Sequence, residues 1–249
     1  MSKITVHAIP RSFYGGITTP EVLKGGEIQM WQAPNEVDSE DYQELRQLLS
    51  TDEMERAARF RFERHRMQYV IGRSLLRILL AGYLQADARK ISFDYTSKGK
   101  PELLSGGQEC SLQFNIAHSG DIILLGFTRN RKIGVDVEQI REDVEVDEIA
   151  QRFFSVLERQ HLASLPLSQR YGAFFRFWTR KEALLKGTGE GLSVSLDSFS
   201  VLSNPDEDSC LLQADGERKW LIQDVEVGAG YAGAVAVKYG NCDPAVLPE

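Results

Sequence analysis

The two halves of the chain carry the same order of predicted elements. Helical patterns of apolar residues occur at about 38–50, 52–66 and 66–85, and again at about 146–154, 156–164 and 169–186. Strand-like segments follow each set of helices, at 91–95, 111–117, 122–128 and 133–138, and then near 198–202, 210–213, 219–227 and 231–238. This repetition predicts an internal duplication into two lobes of roughly 100 to 120 residues each, a usual lobe size.

The order of elements also predicts the fold class. Helices that precede runs of strands with short hairpin-like links favour an α+β fold over a doubly wound parallel sheet. Residues 1–26 contain four Gly and two Pro, which predicts an irregular N-terminal extension before a first strand at 27–31. We expect an N-terminal lobe over 27–131 and a similar C-terminal lobe over 132–249, with ligand bound in the cleft between them.

The composition is that of an ordinary soluble protein, with 42% hydrophobic and 26% charged residues. The net charge of -7 argues against general nucleic-acid binding. Apolar runs are too short to span a membrane, and the first residues lack the apolar core of a signal peptide. Cys110, Cys210 and Cys242 are odd in number and far apart, which suits reduced thiols. We therefore expect a cytoplasmic protein that binds neither nucleic acid nor membranes.

A charged pair lies on the last predicted helix of the second helical set. Glu182 and Lys186 are four residues apart, so both side chains lie on one helical face, with the acid on the N-terminal side. Gly187 and Gly189 end the helix directly afterwards. The pair is either a solvated surface salt bridge, which would contribute little, or part of a cleft that presents a carboxylate and an ammonium together.

A second acidic pair lies on a predicted strand. Asp136 and Glu138 are two residues apart and face the same side, opposite the β-branched residues at 133, 135 and 137. Together with Glu182 they offer three oxygen ligands, a set that suits Mg2+, with Mn2+ as the alternative ion. The absence of linked Cys or His ligands disfavours zinc. The other interpretation is a polar strand face that contacts water.

Two further features indicate anion binding. His118 lies in a strand-connecting segment with Asn115 and Ser119, where its ring becomes a candidate donor to an anion. A basic stretch in this acidic chain contains seven arginines: Arg56, Arg59, Arg61, Arg64, Arg66, Arg73 and Arg77. Most of them are expected to be solvated on helix surfaces, so that two or three contact a ligand.

Three ordered motifs carry a family resemblance. Phe-Asn-Ile-Ala-His-Ser at 114–119, Gly-Val-Asp-Val-Glu at 134–138 and Trp-Thr-Arg-Lys-Glu-Ala-Leu-Leu-Lys at 178–186 resemble the signatures of the 4'-phosphopantetheinyl transferases, in their large monomeric, surfactin-synthetase-type branch. The resemblance runs from about Glu53 to Val201. One position departs from the family pattern, since Ala117 stands where Ser often precedes the His.

The resemblance implies two lobes related by a pseudo-two-fold, with coenzyme A between them. It implies transfer of 4'-phosphopantetheine from coenzyme A to a serine of an apo acyl or peptidyl carrier protein. Asp136, Glu138 and Glu182 would hold Mg2+ on the pyrophosphate, and Lys186 would stabilise the leaving phosphate. Glu182 would take the serine proton, directly or through a metal-bound water, with Glu158 as a second candidate base.

For coenzyme A itself, the resemblance is looser. It implies phosphate contacts from the arginine stretch and from the Gly99-Lys100-Pro101 segment, for which Arg59, Arg66, Arg73 and Lys100 are the candidates. His118 is assigned to the nucleotide end, with Ser119 beside it. Because a duplicated chain supplies both sides of a cleft, we expect a monomer.

Two other functional classes remain open at this point. A Mg2+-dependent phosphatase or nuclease would share the acidic triad and would use water in place of a carrier. A non-catalytic module that binds carrier or coenzyme would tolerate replacement of Glu182.

Overall fold

The computed structural model describes residues 3–9, 20–96, 99–104, 111–189, 194–202, 209–214 and 218–239. Cys110 and Cys242 lie outside these ranges. Within them, every helix is too short or too polar to cross a membrane.

The first half of the chain forms one mixed sheet with its helices. Its elements are β1 (Ile4–Ala8), β2 (Ile28–Pro34), α1 (Ser39–Arg46), α2 (Thr51–Ala58), α3 (Glu63–Leu84), a 3-10 turn (Ala88–Lys90), β3 (Phe93–Tyr95), β4 (Pro101–Leu103), β5 (Leu112–Ser119) and β6 (Ile122–Arg129). The main sheet has the order β1-β2-β6-β5, and β3 pairs with β4 in a separate hairpin. Only the edge pair β1–β2 is parallel among these strands.

The second half repeats this plan. Its elements are β7 (Ile133–Gln139), α4 (Val146–Phe153), α5 (Val156–Ser164), α6 (Leu167–Thr188), a 3-10 turn (Leu196–Ser198), β8 (Ser209–Ala214), β9 (Arg218–Asp224) and β10 (Tyr231–Tyr239). The sheet order β7-β10-β9 matches β2-β6-β5, and α3 and α6 both contain 22 residues. The predicted α+β class with two similar lobes is confirmed, and the connection between β6 and β7 joins the repeats.

The two sheets pack against each other through their apolar faces. Ile133, Val135 and Val137 of β7 are buried in the cluster between the sheets, together with alternate residues of β2, β6 and β10. The opposite face of each sheet packs against the long helix of its own repeat, in two further clusters. Because side chains alternate along a strand, burial of the odd positions directs Asp136 of β7 towards α6.

Several boundaries differ from the sequence predictions. The prediction that residues 1–26 are irregular is wrong over Ile4–Ala8, which form a short parallel edge strand on β2. The helices predicted at 52–66 and 66–85 are separated by a break, since α2 ends at Ala58 and α3 begins at Glu63. The strand predicted near 198–202 is absent, because a 3-10 turn and extended backbone occupy 196–202.

Each repeat contains a buried ion pair in the same place. Ser50 forms a capping box with Glu53, whose Oε2 accepts a hydrogen bond from Arg77 Nε at 2.7 Å. Ser155 forms a capping box with Glu158, whose Oε2 lies 2.9 Å from Lys181 Nζ. The cation in both cases comes from the long helix. These pairs join the short helices α2 and α5 to α3 and α6.

The pair in the second repeat is completely buried. Glu158 and Lys181 are both 0% exposed, and Glu158 Oε1 accepts a hydrogen bond from Val201 N at 2.7 Å. Lys181 Nζ also donates to Leu196 O and Phe199 O, each at 2.7 Å. With all polar atoms satisfied, the pair ties α5, α6 and the 196–202 segment together.

Helix α6 crosses β7 with direct backbone contact. A Cβ added at Gly134 would overlap Ala183 O and Gly187 N, and a Cβ at Gly187 would lie 2.6 Å from the Trp220 ring. Only glycine allows two backbones to approach this closely. The two glycines therefore set the distance between the end of α6 and the middle of β7.

Replacement of Glu158 by Gln is expected to lower the free energy of unfolding by about 3–5 kcal/mol, because Lys181 would remain as an uncompensated buried charge. Urea denaturation measures the loss. The exposed Glu148 of α4 provides the matched control, and its replacement by Gln should change stability by about 0.5 kcal/mol or less. Equal stabilities for the two variants would contradict the proposed role of the pair.

Gly134→Ala is expected to destabilise the protein by about 1–3 kcal/mol or more, because the added methyl group must push α6 away from β7. Gly172→Ala is the control within α6 itself, since nothing lies within 4 Å of its added Cβ. That variant should be neutral or slightly stabilising. Thermal melting of both variants tests the crossing, which would be refuted by a Gly134→Ala protein as stable as the parent.

Candidate functional site

A cleft of about 740 Å³ lies between the two repeats. Its walls come from α2, α3, β5, β7, α6 and the segment around the β3–β4 turn. The predicted site residues that line it are Asp136, Glu138, Glu182, Lys186, His118 and Arg73. The three sequence motifs therefore converge on one cavity.

Asp136 and Lys186 form a close ion pair at the base of the acidic cluster. Lys186 Nζ donates to Asp136 Oδ1 at 2.6 Å, while Asp136 Oδ2 is buried and has no hydrogen-bond partner. Burial raises the pKa of Asp136 to about 7 against the attraction of Lys186, and the negative charges of Glu138 and Glu182 raise it further. Asp136 Oδ2, which is surrounded by negative charge, is thus left without a hydrogen-bond donor.

Glu138 is held in place by the motif on β5. Ser119 Oγ donates to Glu138 Oε2 at 2.7 Å and accepts from Gln139 N at 3.0 Å. Asn115 Oδ1 accepts a hydrogen bond from Val135 N at 2.8 Å. These bonds join β5 to β7, and Ser119, predicted to lie beside His118 at the coenzyme A site, is bonded through its hydroxyl to Glu138.

Glu182 faces the same cavity from α6. Burial raises the pKa of its carboxyl group, Lys186 lowers it, and the charge of Glu138 raises it again. A carboxylate with a raised pKa accepts a proton more readily at neutral pH. The side chain therefore has the properties of a general base.

The acidic cluster consists of carboxylate oxygens that a metal ion could bind. Among the described residues, no three His, Cys, Asp or Glu side chains have the arrangement of a ready-formed metal site. Asp136, Glu138 and Glu182 nevertheless offer oxygen atoms alone, and the buried Asp136 Oδ2 has no partner. An all-oxygen set with an unsatisfied carboxylate oxygen fits a hard divalent cation.

The residues predicted to contact the phosphates of coenzyme A separate into two groups by position. His118 and Arg73 line the cleft, and burial followed by the charge of Lys186 lowers the pKa of His118. Arg59 is exposed and lies 4.0 Å from Glu55, and Arg66 Nη2 donates to Phe60 O at 3.5 Å. Neither of these two arginines is part of the cleft wall.

Lys100 and Glu158 also differ from their predicted roles. Lys100 Nζ donates to the backbone carbonyls of Lys186 at 2.9 Å and Ile133 at 3.3 Å, and burial lowers its pKa to about 8. Glu158 lies in the core, outside the cleft wall, with both carboxylate oxygens bonded. This location contradicts its assignment as a second base, because it cannot reach a substrate without breaking the core.

Sequence reasoning missed several wall residues, which are Phe60, Gln68, Tyr69 and Trp178. Tyr69 lies beneath the guanidinium groups of Arg56 and Arg73, at 5.7 Å from each, and burial raises its pKa. Helical phase was the available signal, since Gln68, Tyr69, Gly72, Arg73 and Leu76 lie on one face of α3. Arg66 lies seven residues before Arg73, on nearly the same face of α3, so helical phase does not distinguish the two arginines, and it is Arg73 that lines the cleft.

Two family models match most of the chain. The sequence model of the 4'-phosphopantetheinyl transferase superfamily matches residues 132–236, and a model of the N-terminal part of 4'-phosphopantetheinyl transferases matches residues 30–128. A solved structure described as a Chronobacterium ammoniagenes ACPS-CoA complex covers 43% of this chain and 96% of its own at 17% identity, with a TM-score of 0.27, which is too low to define the fold.

Characterised sequences show greater similarity. The 4'-phosphopantetheinyl transferase HetI of Nostoc sp. is 37% identical over 215 residues, which cover 86% of this chain and 89% of HetI. The 4'-phosphopantetheinyl transferase Sfp of Bacillus subtilis is 30% identical over 200 residues, or 80% of this chain and 87% of Sfp. The chain therefore belongs to the 4'-phosphopantetheinyl transferase superfamily, in its Sfp-like type, and is an enzyme that transfers 4'-phosphopantetheine from coenzyme A to carrier proteins.

Proposed function

We propose that the cleft between the repeats is the active site, and that the acceptor is a serine hydroxyl of an apo acyl or peptidyl carrier protein. The observation that carries this proposal is the convergence of Asp136, Glu138, Glu182 and Lys186 on one cavity. Phosphoryl-type transfer depends on positioning and charge neutralisation, which a cluster of this kind supplies.

In the proposed transfer, each bond that forms is matched by one that breaks. The serine oxygen attacks the phosphorus that carries the pantetheine arm, and a new phosphorus–oxygen bond forms. The bond to the other phosphate of the pyrophosphate breaks, and adenosine 3',5'-bisphosphate leaves. The proton of the serine hydroxyl passes to a base. The products are holo-carrier protein and the bisphosphate.

Glu182 is the proposed base in this scheme. Glu182 would accept the proton directly or through a metal-bound water. Its carboxyl group faces the cleft, and burial raises its pKa in the metal-free protein. Lys186, four residues further along α6, provides an ammonium that can stabilise charge on the leaving phosphate. Its present partner, Asp136, holds that ammonium at the cavity.

Asp136, Glu138 and Glu182 are the residues that would hold Mg2+, with Mn2+ as the alternative ion. When bound, the ion would polarise the pyrophosphate and neutralise charge on the leaving group. The support for this assignment is the all-oxygen donor set and the unpartnered Asp136 Oδ2. Ser119 orients Glu138 within the set.

His118 and Arg73 are proposed to contact the phosphates at the nucleotide end of coenzyme A. Arg56 and His65 also line the cleft on the same wall, where Arg56 adds positive charge. These four side chains come from α2, α3 and β5 of the first repeat. The acidic cluster comes from β7 and α6 of the second, so the ligand would bridge the two repeats.

We further propose that the enzyme acts as a cytoplasmic monomer. One chain already supplies both walls of the cleft, so a second copy is not needed to complete the site. The sequence contains three well-separated cysteines, as expected for a reducing compartment. Fatty-acid, polyketide and nonribosomal-peptide carriers all present a serine that this chemistry would modify.

The direct test of the proposal uses Glu182→Gln beside the parent protein. Both are incubated with coenzyme A, Mg2+ and an apo carrier protein, and the carrier is weighed by mass spectrometry. The parent should add one phosphopantetheine to the carrier, and the variant should add none while melting like the parent. Glu148→Gln, on the exposed face of α4, serves as the active control. Free phosphate without carrier modification would favour a hydrolase, and full activity of Glu182→Gln would refute its role.

Asp136→Asn is expected to keep or raise the melting temperature of the free protein, because it removes a buried negative charge beside Glu138 and Glu182. Carrier modification should fall to background across a Mg2+ titration. Joint addition of coenzyme A and Mg2+ should raise the melting temperature of the parent more than either alone, and the variant should lose that gain. A variant that melts far below the parent and still modifies carrier would show that Asp136 is a structural anchor.

A further inference from the structure

Lys100 connects the two repeats at a point close to the acidic cluster. It lies in the first repeat, directly before β4, and its Nζ donates to Lys186 O at 2.9 Å and Ile133 O at 3.3 Å in the second repeat. The residue is not among those that line the cleft. Its ammonium is bonded to backbone carbonyls of the second repeat and is not part of the cleft wall.

The two acceptor carbonyls mark the crossing of α6 over β7. Ile133 directly precedes Gly134, and Lys186 directly precedes Gly187, the two glycines whose backbones meet. Lys100 Nζ thus bridges β7 and α6 at the residue that precedes each contact point. A single side chain holds both sides of the crossing together.

The end of a helix is a favourable place for such a contact. Helix α6 ends at Thr188, so the carbonyl of Lys186 is one of the last four, which have no partner within a helix. These carbonyls also carry the negative end of the helix dipole, which a cation stabilises. Leu185 O accepts from Gly189 N at 3.0 Å and from Thr188 Oγ1 at 3.1 Å, whereas Lys186 O accepts from Lys100.

The side chain of Lys186 projects from this same last turn towards Asp136. Burial lowers the pKa of Lys100 to about 8, which reflects how far its amine is removed from water. A buried amine that lost its carbonyl partners would be costly, so the bonds are expected to persist. Any shift in the last turn of α6 would move the Lys186 ammonium relative to the acidic cluster.

We propose that Lys100 is a positioning residue for the transfer reaction: it fixes the last turn of α6 on β7 so that the Lys186 ammonium stays at the cleft. The proposal rests on the function assigned to Lys186 above. It replaces a phosphate-binding role for the Lys100 side chain with an action through backbone carbonyls.

Steady-state kinetics of Lys100→Met separates these two roles. We expect kcat to fall by about tenfold or more, because small displacements of a reacting group cost that much, with little change in the KM for coenzyme A. Lys132→Met is the matched control, since Lys132 is an exposed neighbouring cation without these carbonyl contacts, and it should keep the parent kcat. A raised KM with unchanged kcat in Lys100→Met would instead identify a phosphate ligand and overturn the proposal.

A double-mutant cycle with Lys186→Ala tests whether Lys100 acts through Lys186. In that background, Lys100→Met should lower kcat by no more than about threefold further, because coupled residues are not additive. Additive losses would overturn the proposal. Full activity of Lys186→Ala alone would remove the assigned role of Lys186, and with it the basis of the inference. If Lys186→Ala is impaired and Lys100→Met is fully active, the inference about Lys100 is overturned while the role of Lys186 stands.

Two further variants guard against a simple folding defect. Lys100→Arg retains a cationic donor and should recover most of the kcat lost in Lys100→Met. Where Lys100→Met does not fold, Lys100→Gln, which keeps an uncharged donor, takes its place in the same cycle and should show the same lack of additivity. A Lys100→Arg protein that folds like the parent and is as inactive as Lys100→Met would overturn the proposal.

Discussion

The close approach of α6 and β7 is the constraint on which the site depends. Gly134 and Gly187 let the two backbones touch, and no other residue type would fit there without moving the helix. At this spacing, Lys186 reaches Asp136 two residues along the strand, with a 2.6 Å hydrogen bond. The position of the Lys186 ammonium in the cleft thus depends on these two glycines. Lys100, which belongs to the first repeat, also contacts this crossing, whereas α6 and β7 both belong to the second repeat.

Duplication explains why the site has two unlike walls. Both repeats use a capping-box glutamate and a cation from the long helix to fix a short helix, as Glu53 with Arg77 and Glu158 with Lys181 show. The shared framework therefore lies in the core, where the repeats agree. The cleft lies where they meet and has diverged: the first repeat contributes cationic and aromatic side chains, and the second contributes carboxylates. This arrangement suits a ligand with an anionic end that contacts the first repeat and a second end that binds a cation held by the carboxylates of the second repeat.

Much of this could be read from the sequence, because local rules determine it. The period of two placed Asp136 and Glu138 on one face of a strand, and the spacing of four placed Glu182 and Lys186 on one face of a helix. Other features needed long-range contacts. Glu158 has the residue type of a base, yet Lys181 and Val201 N enclose it in the core. Charge alone favoured Arg59 and Arg66 as much as Arg73, and the position of the cleft along α3 is what separates Arg73 from Arg66. The edge strand β1 forms because β2 offers it a partner, which its five residues do not reveal.

The electrostatics of the cleft link its structure to its chemistry. Three carboxylates face one ammonium. Burial is the largest cause that raises the pKa of Asp136, to about 7, and that of Glu182, and neighbouring negative charge raises both further. A cluster of this kind stores unfavourable energy in the free protein that a bound cation relieves. On the wall from the first repeat, Arg73 shares its partner Glu53 with the core residue Arg77, so one carboxylate faces two guanidinium groups. A ligand of the opposite sign would stabilise each wall, and a metal-bound pyrophosphate would satisfy both at once. Affinity and catalysis then have the same physical origin, because the charges that attract the ligand are the charges that the transfer reaction neutralises.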